Sequence, residues 1–551
     1  MRKNCTKTNE EFVVPEEEMS LRKKLGVEGE PEFSPVFRFL QLGAFWQHWN
    51  LHRRKCDKTG NEIISVFSPD CPYPVWHKDE WIKNANPPGA DFNETKEMFP
   101  QMWEFFQKSP IAHNVGTRNE NCEYTDDWWY SKNCYLCHSG YQCEDLRYCY
   151  RTIGVTDCQY CVFTRDSELC VDVVNSSNCF SVLYALSCRQ CRDSAFLYDC
   201  RGCSDCFFCW NLRNKQYCFQ NEQLTKEEYE KKRREWDLHS RRVYEQMKEK
   251  FRDTLKEKAW HRALSIEHSE NSTGDYLDEC KNCENCYLVT IDVEDCINVI
   301  RSGVKVKDCL DIIGSAFNTE FTYYTSLAQD QCYDDKFGYN LTQCKWTEYC
   351  AHCFHCEYCF GCCGLVRKQY HIFNKPYSPE EYEQTRKRII NKMKKTGEYG
   401  NFFPGYFAAH PYDESWSSFY WPLTKEQQKK FGFRVRKHEK RRESNYLSPA
   451  EIPDRSDKVD DLLIQKVFWD SEIQRPFQIQ KADILFAQKV GIPLPNIFYI
   501  HRIQENFRWI PFNGKTRTVK CGKCDTATQT SWPSEYDGRI LCEECYLKEV
   551  Y

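Results

Sequence analysis

The sequence predicts a mainly β chain with α-helices: two tandem cysteine-rich parallel β-solenoid (β-helix-like) blocks, each followed by a helix, flanked by duplicated zinc-ribbon-like end modules. Three observations carry this. From Cys134 to Cys218 the successive cysteine steps are 3, 6, 6, 9, 3, 9, 9, 9, 3, 9, 3, 3, 3 and 9, all multiples of three. Residues 200–230 match 353–383 at a constant offset of 153, with 14 of 31 positions identical. The two ends match at offset 465 without a gap, with "KC" at 55–56 on "KC" at 520–521 and Phe33 on Phe498.

In chain order the predicted parts are an N-terminal degenerate, metal-free ribbon module (1–110), a first cysteine-rich solenoid (111–224), a long charged helix (225–270), a second solenoid (271–377), a helix (378–400), an aromatic and basic linker (401–470) and a C-terminal zinc ribbon module (471–551). A chain of 551 residues is long enough for about three or four cores of roughly 150 residues each. Its net charge of −5 with 28% charged residues argues neither for a general cationic field nor for disorder. The first residues, "MRKNCTKTNEEFVVPEEE", lack a secretory apolar core, and no run is long enough to span a bilayer, so the expected location is the cytoplasm, with no membrane partner. A reducing cytoplasm makes the 36 cysteines metal ligands or buried free thiols rather than disulfides.

In the end modules, "CGKC" at Cys521 and Cys524 and "CEEC" at Cys542 and Cys545 are two knuckles whose spacing closes a tetrahedral four-thiolate zinc site. With four protein ligands the ion is structural and has no open position. At the aligned N-terminal positions only Cys56 is retained; Thr59, His77 and Glu80 stand at the other three, so that module is expected to hold its shape by packing of Phe67, Trp76 and Trp81.

In the arrays, constant phase over 84 residues fits coils of a fixed multiple of three, such as 9 or 18, that stack cysteines in inward columns. Asn133, Asp157, Asn178, Ser187, Asp199 and Asp205, then Asn282, Asn285, Asp295 and Asp308, precede cysteines and suit left-handed coil corners. Free cysteine behaves as a small hydrophobe, so these ladders need no metal. One substitution favours an alternative: Cys218 becomes His371 in the second copy, and the two exchange readily as ligands. That reading places metal or an iron–sulfur cluster at Cys200, Cys203, Cys206, Cys209 and Cys218, and at Cys353, Cys356, Cys359, Cys362 and His371. Between Cys296 and Cys332 the phase is lost. The spacer from Thr225 to about Glu267 has strong helix formers and alternating charge, and reads as one long solvated helix.

Together, "LHRRKCDKTGNEIISVFSPDCPYPVW" (51–76), "LYDCRGCSDCFFCWNLRNKQYC" (197–218) with "LTKEEYE", and "CGKC…LCEECYLKEVY" resemble an uncharacterised cysteine-rich, zinc-ribbon-containing family of candidate-phyla-radiation bacteria, often called hypothetical or CaiB/BaiF family. The resemblance covers nearly the whole chain and implies zinc at Cys521, Cys524, Cys542 and Cys545, without an established activity. Members typically carry further paired cysteines in the first 40 residues, where this chain has Cys5 alone.

No G-x-S-x-G elbow, phosphate-binding glycine loop or H-E-x-x-H helix is present, so the sequence reads as non-enzymatic, with no catalytic residues and no small-molecule substrate identified. The leading expectation is a zinc-binding structural or recognition scaffold that contacts a protein partner or itself, in part through coil ends. Two alternatives stand beside it. One is RNA or other nucleic-acid binding through 46–55 (Arg53, Arg54, Lys55) and 429–442 (Arg434, Arg436, Lys437, Lys440, Arg441, Arg442), where aromatics and cations interleave. The other is metal or iron–sulfur handling by the arrays.

Overall fold

A computed structural model describes every residue except 28, 47, 48, 85, 304, 305, 308, 315–318, 327–330, 438–444 and 513. Among the described residues the chain is a mixed α/β protein with many short sheets and twelve α-helices.

The organising feature is a parallel ladder that repeats every twelve residues. Phe180–Leu186 pairs with Arg192–Tyr198, which pairs with Ser204–Trp210 and then Gln216–Phe219; isolated bridges such as Glu120↔Lys132, Lys132↔Glu144 and Glu144↔Thr156 extend the same spacing upstream. Every third residue from Arg118 through Gln220 has positive φ, including Tyr148, Tyr160, Phe163 and Phe196. Each such residue other than Gly154 and Gly202 forgoes roughly 1–2 kcal/mol of backbone preference, a cost the ladder's hydrogen bonds must offset. The expected corner residues Asn133, Asp157, Asn178, Ser187, Asp199 and Asp205 all lie in this left-handed region, as do Asn282, Asn285 and Asp295; Asp308 lies outside the described residues.

The repeat is therefore twelve, not 9 or 18. Each coil has four inward positions, and cysteine shares them with Ser131, Thr152, Val155, Thr164, Val173 and Ala185, so cysteine steps alone mix columns. The inward set forms its own buried cluster, from Trp128 and Cys134 through Cys209 and Cys218. Trp128 pairs in register with Gly140, where an added Cβ would lie 2.0 Å from the indole Cζ3. The ring thus occupies the space of the inward side chain one coil on.

The second array changes spacing. It pairs Gly274↔Cys286 at twelve, Glu284↔Ile297 and Lys307↔Glu320 at thirteen, and Tyr333↔Lys345 again at twelve. Coils of thirteen explain why the cysteines lose phase between Cys296 and Cys332. Its inward residues form two further buried clusters. Both arrays end alike, with an antiparallel strand laid on the last coil: Glu222–Gln223 on Gln216–Phe219, and Lys375–Pro376 on Gln369–Ile372. Each cap leads to a helix opened by a capping box, Thr225 with Glu228 and Ser378 with Glu381.

The expected single helix from Thr225 is two helices, Lys226–Arg234 and Arg241–Lys258, followed by short strands at His261–Arg262 and Ile266–Glu267. Ser240 interrupts it as an N-cap, accepting from Val243 N at 3.4 Å and donating to Asp454 Oδ2 at 2.6 Å. Nor is its face solvated, because Tyr244, Met247, Phe251 and Leu255 are buried, with Phe251 against Phe196 and Phe208.

The end segments repeat their elements 465 residues apart. Hairpin His52–Lys55/Glu62–Ser65, strand Val75–Trp76 and helix Lys78–Asn84 have counterparts in Arg517–Lys520/Ala527–Thr530, Ile540–Leu541 and Glu543–Val550. Val75–Trp76 pairs with Ile111–Ala112 just before the first array, and Ile540–Leu541 with His261–Arg262 just before the second. The side-chain contacts cross over. N-terminal residues pack on the second array, through Glu18 to Asn298 (2.7 Å) and Arg38 to Asp311 (2.7 Å). C-terminal residues pack on the first, through Asp483 to Arg147 (2.9 Å) and Arg502 to Asp172 (2.9 Å). The arrays touch each other through Arg165–Asp278 (2.5 Å), Arg201–Glu267 (2.7 Å) and Arg301–Ser139 (2.7 Å).

Candidate metal centre

The four thiols of Cys521, Cys524, Cys542 and Cys545 converge, with all sulfurs within 4.8 Å of one another. Local chemistry dictates this. The Arg517–Lys520 strand ends in a knuckle in which Cys521 N–H donates to Thr526 O (2.9 Å), Asp525 N–H donates to Cys521 O (3.1 Å), and Asp525 has φ +57°. Gly522 approaches Gly538 so closely that a Cβ would lie 2.2 Å from its carbonyl oxygen, which leaves glycine as the fitting residue between the paired cysteines. The second knuckle uses a helix start: Cys542 is the N-cap of Glu543–Val550, and Cys545 sits in its first turn.

The donor set fits zinc. Cys524 Sγ and Cys542 Sγ are 3.7 Å apart, and a tetrahedron with Zn–S bonds of about 2.3 Å has sulfurs about 3.8 Å apart. Cys542 N–H donates to Cys521 Sγ at 3.4 Å. Although burial alone would raise it, the Cys521 thiol is held down at about 6 by backbone N–H groups of Cys524, Cys542 and Lys523, which favour the thiolate a metal needs. Arg262, adjoining the site through Glu543 (2.6 Å), and Tyr546, held by Arg213 (2.8 Å), tie this module to both arrays.

The N-terminal counterpart keeps the backbone without the ligands. Cys56 N–H donates to Asn61 O (2.8 Å), Gly60 N–H to Cys56 O (2.9 Å), and His77 N–H to Cys56 Sγ (3.3 Å), one for one with the C-terminal knuckle. The His77 ring instead stacks on His113 at 4.7 Å, and its Nδ1 accepts from Asp79 N–H. Phe67 and Trp81 are buried and Trp76 is half-buried beneath Lys58 (4.6 Å).

The array cysteines behave differently. Cys200, Cys203, Cys206, Cys209, Cys218, Cys353, Cys356, Cys359 and Cys362 are all buried. Their thiols point at backbone carbonyls two residues back and nine ahead, as from Cys209 to Phe207 O (3.4 Å) and Cys218 O (3.5 Å), or from Cys362 to Phe360 O (3.5 Å) and His371 O (3.4 Å). Among the described residues no three of them come within 4.8 Å of one another. Burial pushes Cys143 up to about 11 and Cys179 to about 12. Cys161, Cys203, Cys283 and Cys356 depart from this, each held low by neighbouring array thiols. His371 pairs in register with Cys359 in the last coil, its Nδ1 at 2.6 Å from Gln369 O.

A second acidic trio, Glu267, His268 and Asp278, also converges, but Arg201 and Arg165 already neutralise its two carboxylates. The basic segments divide. Trp46, Trp49 and Arg54 are buried, the last donating to Ser68 O (2.8 Å) and Asp57 (2.8 Å); Arg434 donates to Asp70 O (2.9 Å) and Arg436 pairs with Glu414 (3.4 Å). Arg53, Lys55 and Lys437 are exposed; Lys440, Arg441 and Arg442 lie outside the described residues. No described helix is long and apolar enough to cross a membrane.

Sequence reasoning missed a cleft of about 250 Å³ lined by residues 50–53, Tyr135, Arg475 and Tyr499. Its walls come from three distant segments, and no local motif announces it. No protein-family model matches this chain, and no curated protein does.

Proposed function

We propose that the chain is a non-catalytic, zinc-binding structural and recognition protein. In this reading two cysteine-laddered β-solenoids, products of an internal duplication, are clamped by two related end modules of which the C-terminal one is a zinc ribbon, with the second solenoid beginning at the Ile266–Glu267 strand. It belongs with the cysteine-rich candidate-phyla-radiation proteins it resembles, and its contacts are with a protein partner or a second copy.

The observation that carries the reading is the contrast between the two kinds of thiol. Four at the C-terminus converge at tetrahedral spacing, whereas those of the arrays are directed at carbonyls along the coil. The twelve-residue parallel pairing and its buried inward clusters support the solenoid, and the element recurrences at 153 and 465 support duplication. The capping strands on both last coils direct contacts to the flanks rather than those ends. Metal and acid-labile sulfide analysis of anaerobically purified protein tests it: about one zinc per chain and no sulfide is expected. Several metals per chain, or sulfide, would favour the metal-handling alternative instead.

A further inference from the structure

The cleft between the two end segments combines aromatic walls with one buried, loosely held arginine and one exposed arginine. Tyr135 and the exposed Tyr124 come from the first coils of the first array, Phe498 and Tyr499 from the C-terminal segment, and Arg53 from the N-terminal hairpin. At its base Arg475 is buried, yet both of its side-chain contacts are made by Nη2 and are long, to Asn50 Oδ1 (3.3 Å) and Glu414 Oε1 (3.4 Å). Glu414 lies behind and is shared: His52 Nε2 sits at 3.0 Å and Arg436 Nη2 at 3.4 Å. Two guanidinium groups therefore face one buried carboxylate. Glu414 is thus divided between the buried Arg475 and the partly exposed Arg436, and the guanidinium of Arg475 keeps donors for a further anion.

We propose that this cleft binds a nucleoside monophosphate, free or at the end of a strand, with the phosphate on Arg475 and Arg53 and the base against Tyr124, Tyr135 and Phe498. The unused donors of Arg475 and the exposed guanidinium of Arg53 ask for an anion that a neutral ring does not supply. The aromatic walls ask for a planar ring that a bare phosphate lacks. A volume of about 250 Å³ lies just below the usual range for ligand pockets and limits the occupant to one nucleotide at most. Arg53 leaves its side chain largely in solvent, with Glu62 no nearer than 3.9 Å, and is free to swing onto a phosphate. The inference goes beyond the scaffold reading and is independent of the zinc.

Calorimetric titration of the full, zinc-loaded chain with AMP, UMP, adenosine and inorganic phosphate tests it. Saturable binding of at least one nucleotide is expected, with adenosine and phosphate at least about tenfold weaker. Arg475→Gln should weaken nucleotide binding by about 10- to 100-fold, since a charge-assisted hydrogen bond is lost. Arg436 and His52 still hold Glu414 in that variant, and Arg53→Glu, at an exposed position, gives the same direction without touching the core. A short 5′-phosphorylated oligonucleotide that competes with the mononucleotide assigns the strand-borne source; one that does not assigns the free nucleotide. No saturable heat with either nucleotide up to about 10 mM, or affinity unchanged in both variants, overturns the proposal.

Discussion

Gly140→Ala is the most direct probe of the twelve-residue stacking. The added methyl would lie 2.0, 2.3 and 2.6 Å from Cζ3, Cη2 and Cε3 of Trp128, all well inside contact distance, and Trp128 is fully buried with no room to retreat. Overpacking of this kind costs about 1–3 kcal/mol, and a rigid indole with three overlapping atoms belongs at the upper end, about 3 kcal/mol. Trp128→Leu by itself should cost about 3 kcal/mol. In the Trp128→Leu background the Gly140→Ala methyl meets open space, so its cost should vanish, giving a coupling of about 3 kcal/mol in a double-mutant cycle. Hydrogen exchange reads this locally: amide protection across residues 128–152 should fall by about two decades in the single Gly140 variant and not in the double variant relative to Trp128→Leu. If alanine at 140 is equally damaging in both backgrounds, the indole does not sit over residue 140 and the register is wrong.

Further expectations concern the thiols, the buried charges and the metal. Brief alkylation of the native chain, read by peptide mass spectrometry, should label the exposed Cys524 of metal-stripped protein and the half-buried Cys122, while Cys158, Cys188 and Cys200 react only after unfolding; rapid native labelling of the latter three would contradict inward thiols. Asp335 is buried with Thr347 N–H at 3.0 Å, and burial raises its carboxyl to about 7 from an ordinary value near 3.8, so the folded state holds its proton longer. Its contribution is complete below about pH 4 and is lost as pH rises through 7; between pH 5 and pH 8 the decline is about 2.5 kcal/mol, which Asp335→Asn should abolish in urea melts at those two pH values. Arg502→Met strands the fully buried Asp172 carboxylate, and should cost about 3–5 kcal/mol with loss of protection where the C-terminal helix meets the first array; an effect under 1 kcal/mol would show the pair to be dispensable. Cys542→Ser with Cys545→Ser should abolish zinc retention and raise exchange at His261–Arg262, the strand paired to Ile540–Leu541, and unchanged zinc content would place the ion elsewhere.

The cysteine phase made the parallel ladder legible because only one position in three faces inward, and a small thiol fits there. Coil length was not legible from that phase. Thr152, Val155 and Ala185 occupy the same inward columns as cysteine, so the spacing between cysteines reports a mixture of columns rather than one turn. The zinc ligands could be read directly, since each C-x-x-C brings its own knuckle. Arg475, Glu414, His52 and Tyr135 could not, because the chain separates them by tens to hundreds of residues and each alone looks ordinary. The helix break at Ser240 is likewise tertiary: Asp454, 214 residues away, holds it. The basic run at 46–55 misleads in the other direction, since a β-strand turns alternate residues inward and buries Arg54 while Arg53 and Lys55 stay out.

The crossed contacts have a consequence for synthesis. Asp172 waits 330 residues for Arg502, roughly 15–60 s at ribosomal elongation rates of about 5–20 residues per second. During that interval the nascent first array presents an apolar flank and a negative charge whose cover has not yet been translated. A chain released early would carry that surface uncovered, and such surfaces are prone to aggregate.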